Sequence, residues 1–340
     1  MKQYGVMVIG CGHIGCQHLE DIYWRDNIRI EATVDADENC ARTAARKYGA
    51  ADYGTDYRKF LSDPSVDIVI IATYASSHLS VLKDCLAAGK HVLCEKPIAT
   101  NKEDGKEFFE LAKGADRKVL IAHILRHNAS YNKICELIKS GVIGKFKVAR
   151  MVQNHHCIDW NRYKRLLKDC SPLVDCGVHY IDVLQWMTGA AVTEVSGMET
   201  IIDEDCDYPN YGLMQMKLSD GSVGYYEAAW SRNTASENLK EFIGDKGRIS
   251  LTLKENRTKN AEEGDLISVY HNESVEYEDI NVPSVYKNMY GQLCCLIDMI
   301  ENDAPANPTL DEAYSAFLVA LAADEAAKTG KIIKTDVTVG

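Results

Sequence analysis

The stretch Gly10-Cys11-Gly12-His13-Ile14-Gly15 constrains the fold more than any other part of this chain. It follows an apolar run, Tyr4-Gly5-Val6-Met7-Val8-Ile9, that reads as a buried strand, and it opens a segment over 13–24 with helical spacing. A second strand is expected over 28–35, ending on Asp35. Strand, G-x-G-x-x-G, helix and an acid about twenty residues on form the dinucleotide fingerprint. Gly10 permits the tight turn, Gly12 lets the backbone approach a pyrophosphate, and Gly15 lets helix and strand pack closely. Free N–H groups at the helix start, within the loop that Cys11, His13 and Ile14 complete, then hold phosphate. A carboxylate at Asp35 accepts both ribose hydroxyls of NAD and repels a 2′-phosphate. Ala36 and Asp37 follow it without an arginine, so NAD is expected rather than NADP.

The alternation continues. Helices are expected near 38–48, 56–62, 77–88 and 101–114, and strands over 66–72, 91–94 and 118–122. Apolar strands alternating with helices specify a parallel sheet covered on both faces, the doubly wound Rossmann pattern of an α/β protein. Beyond about residue 123 the pattern changes. A helix near 129–140 precedes an alternating stretch at 145–153 and a helix near 176–187. Alternating segments then dominate to about 280, with turns at Asp220-Gly221 and Gly244-Asp245-Lys246-Gly247, and two helices close the chain near 286–302 and 310–328. This predicts an α+β domain with a mostly antiparallel sheet. The division is 1–122 for nucleotide binding and 123–340 for substrate binding and oligomerisation, with the C-terminal helix a candidate to pack back on the first domain.

Composition narrows the function classes. With 38 Lys+Arg against 50 Asp+Glu the net charge is −12, which repels a polyanion, so no nucleic acid partner is expected. The densest basic stretch, Arg162-Tyr163-Lys164-Arg165, reads as a solvated loop. No apolar run approaches the roughly 18 residues that span a bilayer, so no membrane partner is expected. The N-terminus reads as no targeting segment. The 12 cysteines show no CxxC spacing, which points to free thiols in a reducing cytoplasm rather than disulfides.

Three groups carry chemistry. Glu95-Lys96-Pro97 follows a strand and therefore lies at the carboxyl edge of the parallel sheet, where open α/β sheets bind ligands. Lys96 there polarises a substrate oxygen. Asp175 and His179, at i, i+4, share a face at a helix start flanked by apolar residues. His179 is the side chain best suited to move a proton near neutral pH, and Asp175 orients the ring or holds substrate. Arg126, Asn154, His155, His156, Trp160 and Tyr163 are candidate substrate contacts, rich in donors and suited to a polyhydroxylated ligand. His155, His156 and Trp160 read equally as a loop without ligand contact. His123 and His127 also stand at i, i+4, but no third ligand matches their spacing, so no metal is expected.

Together the glycine loop, Glu95-Lys96-Pro97 and Asp175-x-x-x-His179-x-x-Asp182 resemble the glucose–fructose oxidoreductase/inositol dehydrogenase/rhizopine-catabolism (Gfo/Idh/MocA) family. Ala72-Thr73 with His78 resembles that family's nicotinamide-side loop, in which Thr73, Tyr74, His78 and Glu95 would lie against the cofactor. Ser140-Gly141-Val142-Ile143-Gly144 and the turn at 244–247 resemble two of its later turns. The resemblance implies a Rossmann domain, then an α/β domain with a large open sheet used for oligomerisation, as a homodimer or homotetramer. It places the catalytic lysine, aspartate and histidine on Lys96, Asp175 and His179. Two departures stand out: Tyr74-Ala75 replaces the usual Pro-Asn, and Ser171-Pro172-Leu173-Val174 replaces a glycine-rich stretch.

The expected activity is NAD-dependent oxidation of a secondary alcohol of a polyol, sugar or sugar derivative. Two alternatives stay open here. One is a sugar-modifying enzyme with bound NAD that acts by transient oxidation and elimination, as a glycosidase or epimerase would. The other is a non-catalytic NAD-sensing regulator.

Overall fold

A computed structural model describes residues 2–254, 263–283, 285 and 287–338. The first elements are β1 (Tyr4–Ile9), α1 (His13–Ile22), β2 (Ile28–Val34), α2 (Glu38–Tyr48), β3 (Asp52–Gly54), α3 (Arg58–Leu61), β4 (Ile68–Ile71), α4 (His78–Ala87), β5 (His91–Glu95), α5 (Lys102–Lys113) and β6 (Val119–Ala122). Then follow α6 (Ala129–Lys139), β7 (Phe146–His156), α7 (Trp160–Asp169), α8 (Pro172–Asp175), α9 (Gly177–Thr188), β8 (Val192–Thr200), β9 (Tyr211–Leu218) and β10 (Val223–Ser231). The last elements are β11 (Lys240–Gly244), β12 (Gly247–Thr252), β13 (Asp265–His271), β14 (Glu276–Val282), α10 (Met289–Asn302), α11 (Leu310–Thr329) and β15 (Ile333–Lys334).

The chain forms two compact units. Unit 1 is Met1–Ile124 with Asn288–Leu310, so α10 belongs to it; unit 2 is Leu125–Lys287 with Asp311–Gly340. Among the described residues, the sheet of unit 1 has six parallel strands in the order β3-β2-β1-β4-β5-β6. Strand order switches between β1 and β4, with β2 and β3 added on one side of β1 and β4 to β6 on the other, and the crevice at such a switch point is where doubly wound sheets bind ligands. Strands β1 and β4 are buried along their whole length, as a sheet covered on both faces requires. Leu293, Leu296 and Ile297 of α10 join Tyr4, Leu19 and Ile22 in one core. That is why a helix so late in the sequence belongs with the nucleotide sheet.

Among the described residues, the sheet of unit 2 has nine strands in the order β14-β13-β12-β11-β7-β10-β9-β8-β15. All neighbours are antiparallel except β7 and β10. One face is apolar: Met151, Tyr226, Phe242, Ile249 and Ile267 are buried on it. The other face carries Arg150, Tyr225, Glu241, Arg248, Tyr270 and Tyr277, joined by ion pairs and ring contacts. Helix α9 lies on the apolar face because Gly177 leaves room there. A Cβ at that position would stand 2.8 Å from the Met214 side chain.

Candidate active site

The nucleotide half belongs to unit 1. Gly10 has φ +92°, and a Cβ on it would meet the Ala72 carbonyl oxygen at 2.4 Å. A Cβ on Gly15 would meet the Gly10 oxygen at 1.8 Å, whereas one on Gly12 would meet nothing within 4 Å. Gly10 and Gly15 therefore close the turn, and Gly12 leaves open space over the backbone, as a pyrophosphate needs. Asp35 is half-buried. Its carboxylate accepts the Cys11 N–H (2.7 Å) and the Asp37 N–H (2.9 Å). Four lone-pair positions less two leaves acceptor capacity for ribose hydroxyls. The Cys11 thiol is buried, and burial raises its pKa to about 12. The loop thus presents backbone to a ligand, with the thiol turned inward. Ile14 is half-buried on α1, and His13 is exposed there beside Gln17.

Lys96 follows β5 and is half-buried. Glu95 before it, expected to meet the cofactor, is only 8% exposed and is instead engaged within the protein. Its Oε1 lies 2.8 Å from His18 Nε2, and its Oε2 accepts the Lys96 N–H at 3.3 Å. His78 is likewise buried. Its Nδ1 lies 2.9 Å from the Pro97 oxygen and its Nε2 lies 3.2 Å from the Thr73 oxygen. It clamps the loop after β4 to the loop after β5 rather than offering its ring to a ligand. Thr73 Oγ1 accepts the Ser77 hydroxyl (2.7 Å), and Tyr74 is 45% exposed.

The candidate proton-transfer pair, Asp175 and His179, belongs to unit 2. Ser171 caps α8 by accepting the Val174 N–H, and Cys176 joins α8 to α9. Asp175 therefore ends one helix and His179 lies in the first turn of the next, both half-buried. Strand parity decides what faces them. Residues opposite each other in a ladder point to the same side. Thus His155, paired with Trp230, shares the helix-covered face with Tyr226 and Met151. Asn154 and His156 point to the other face. The Asn154 amide donates to Glu227 (2.8 Å), and the exposed His156 ring lies 3.1 Å from the Thr234 oxygen. Of the two candidate histidines, His155 lies on the side of Asp175 and His156 on the opposite face. Burial first, then the charges of Lys287, Arg162 and Lys240, lower the His155 pKa, while Asp175 opposes them. Lys240, which its sequence pattern does not single out, is buried on the same face as His155.

Three further expectations change. Arg126 is 3% exposed, and its guanidinium is spent inside the protein: Nε and one terminal nitrogen donate to Asp182 (2.9 and 2.8 Å), and that nitrogen also meets Glu312 (3.1 Å). Burial alone would lower the Arg126 pKa, but the two carboxylates outweigh it and raise it. Trp160 is buried against Cys157, Leu167, Cys206 and Trp230, and its indole N–H goes to Asp205 at 3.1 Å. The stretch 162–165 is helix, not loop. Asp159 caps α7 by accepting the Arg162 N–H at 3.2 Å. Trp160, Tyr163 and Leu167, at helical spacing, pack inward. Tyr163 stands edge-on to Trp230 (centroids 5.6 Å apart), and burial pushes its phenol up to about 12.

The chain is similar to known proteins over most of its length. Residues 4–123 match the model of the oxidoreductase family with an NAD-binding Rossmann fold, and residues 131–250 match the GFO/IDH/MocA C-terminal domain. The inositol 2-dehydrogenase 2 of Saccharopolyspora erythraea is 31% identical over 253 residues, 72% of each chain. The myo-inositol 2-dehydrogenase of Thermotoga maritima is 26% identical over 246 residues, 71% of this chain and 73% of that one. Among solved structures, the myo-inositol 2-dehydrogenase of Lactobacillus plantarum has the same fold. Its TM-score is 0.84 at 18% identity, over 98% of this chain and all of that one. The chain is an oxidoreductase built on an NAD-binding Rossmann fold. It belongs to the Gfo/Idh/MocA family, whose two domain models match it in order. Among the described residues no helix is long and apolar enough to cross a membrane.

Proposed function

We propose that this enzyme oxidises a ring secondary alcohol of a polyol, sugar or sugar derivative, and reduces the matching ketone in reverse. The observation that carries the reading is the grouping in unit 2: Asp175 and His179 one turn apart, with His155 on the sheet face beside Asp175. The names of the relatives, inositol 2-dehydrogenases, support the substrate class. Gly10 to Gly15 and Asp35 would hold NAD, which when bound accepts or returns the hydride. His179 removes the hydroxyl proton as a general base and returns it in reverse. Lys96 polarises the substrate oxygen. Asp175 orients the His179 ring or takes a hydrogen bond from a neighbouring hydroxyl. His155, held neutral by its surroundings, can donate to one hydroxyl or accept from another. We also assign the open, charged face of the nine-stranded sheet to a homodimer or homotetramer interface, and the protein to the cytoplasm.

The test is NADH formation with a panel of inositols, aldoses, sugar acids and simple alcohols. Turnover is expected only with polyhydroxylated rings, because each unpaired buried donor costs about 1–3 kcal/mol. His179→Ala and Lys96→Ala should each lower kcat by roughly 10²–10⁴-fold. Robust activity on propan-2-ol with none on any polyol refutes the substrate class. Near wild-type turnover by His179→Ala refutes the proton-transfer assignment.

A further inference from the structure

Lys240 opens β11, paired with Met151 on β7 and Leu251 on β12. The side chains around it on that face, Met151, Phe242, Ile249 and Leu251, are apolar and buried, and Lys240 itself is 1% exposed. Packing alone would call for a methionine or leucine here. The amino group makes three contacts that neither could make. Nζ donates to the Val152 oxygen (2.6 Å) and to Asn238 Oδ1 (2.5 Å), and it stands 4.5 Å from the centre of the Tyr180 ring. Two oxygens and a ring face match the three hydrogens of an ammonium. Burial acts against that charge and holds the Lys240 pKa well below the ordinary lysine range, with Cys176 and Glu237 opposing it.

The three contacts lie on three separate pieces of unit 2. Val152 belongs to the end of β7, three residues before His155. Asn238 belongs to the segment beside that end, where Asn154 and Glu237 exchange backbone hydrogen bonds (2.9 and 3.0 Å) and Val152 donates to the Leu239 oxygen (2.9 Å). Tyr180 follows His179 in α9 and stacks on Tyr226 with centroids 4.7 Å apart. One amino group therefore ties the strand end that carries His155 to the helix turn that carries His179. It also acts electrostatically on His155, together with Arg162 from α7, Asp175 from the α8–α9 junction, and Lys287.

We propose that Lys240 is a positioning residue for the reaction, holding His155 and His179 in one frame through the Val152 carbonyl, Asn238 and Tyr180. The proposal rests on the reading of His179 as the proton-transfer group. Lys240→Met keeps length and packing and removes the three contacts. It should leave NAD affinity unchanged, since unit 1 is untouched, and lower kcat by roughly 10- to 100-fold, the scale of a small misplacement of reacting groups. In histidine-labelled protein, with the His155 signal assigned by His155→Gln, its titration should move to higher pH, because a nearby positive charge is lost. Packing loss alone would not give that direction. Asn238→Ala, which removes one acceptor outside the core, should shift both readouts the same way by less. Added to Lys240→Met it should cost little more, as members of one network do. Wild-type kcat and an unmoved His155 titration in Lys240→Met overturn the proposal. If that variant does not fold, the same result in Asn238→Ala overturns it. Failure of the underlying reading looks different: His179→Ala would stay active whatever Lys240→Met does.

Discussion

His18 Nε2 lies 2.8 Å from Glu95 Oε1, with His18 fully buried and Glu95 nearly so. The pair joins α1, whose start is the glycine loop, to the strand end that bears Lys96. Glu95 also accepts the Lys96 N–H, so the carboxylate sets the backbone of the proposed oxygen-polarising residue. His18→Leu removes the imidazole donor and leaves a buried carboxylate short of a partner. A loss of about 1–3 kcal/mol of stability is expected. Lower kcat is expected with it. His18→Gln, which can still donate, should recover part of both. Urea unfolding midpoints and kcat measured together check this, and a His18→Leu protein as stable as wild type refutes the coupling.

Arg126 and Asp182 make a buried two-bond ion pair, with Glu312 as a second acceptor and the Trp186 ring 4.9 Å away. Removing one side of a buried pair costs about 3–5 kcal/mol, because the partner charge remains unpaired. Arg126→Met should therefore lower the unfolding temperature of the protein sharply. Any fall in activity should track the folded fraction. A variant of normal stability whose substrate KM alone rises would return Arg126 to the role of a substrate ligand.

The nucleotide sheet is legible in the sequence because three separate signals coincide there: whole apolar strands, the spaced glycines and Asp35. Unit 2 is less legible for a physical reason. A one-residue change of parity on β7 exchanges His155 for His156, and only the pairing of His155 with Trp230 settles which faces α9. Lys240 begins an alternating stretch and reads as a solvent-facing residue until its register with Met151 turns it inward. Helix α7 did carry a signal, since Trp160, Tyr163 and Leu167 have helical spacing, but the basic run between them masks it. His18 and Arg126 depend on contacts with Glu95 and Glu312, 77 and 186 residues away, which no local pattern announces.

His91, at the start of β5, accepts the Lys118 N–H on Nδ1 at 3.0 Å. Protonation would remove that lone pair. Burial first, and then the charge of Arg117, lower its pKa from 6.5 to about 4. The folded state thus prefers the neutral ring. As pH falls through 6.5 the unfolded chain binds this proton and the folded one does not, so stability is intact above that point and declines toward pH 4. His91→Gln keeps an acceptor and removes the titration. Its loss of stability between pH 7.5 and pH 5 should be smaller than that of wild type in urea titrations. Equal losses would show that His91 does not contribute to acid sensitivity.

Asp35 is expected to decide which nicotinamide dinucleotide is preferred. Its carboxylate is fixed by the N–H groups of Cys11 and Asp37, so it cannot swing away from an approaching ribose. Asp37 adds a second exposed anion, and the nearest basic side chain on α2, Arg42, is engaged with Asn39 (2.6 Å). A phosphate ester carries about −1.5 to −2 charges near neutral pH. Calorimetric titration should therefore give tighter binding of NAD than of NADP, and the gap should shrink as salt screens the repulsion. Asp35→Ser removes the charge but also takes the acceptor from the Cys11 N–H. NAD should bind more weakly and NADP more tightly, narrowing the gap from both sides. Adding Ala36→Arg supplies a cation for the phosphate and should reverse the preference, with each tenfold change in the ratio corresponding to about 1.4 kcal/mol. An Asp35→Ser protein with an unchanged ratio would place the discrimination elsewhere on the nucleotide unit, and wild-type preference for NADP would refute the role given to this carboxylate.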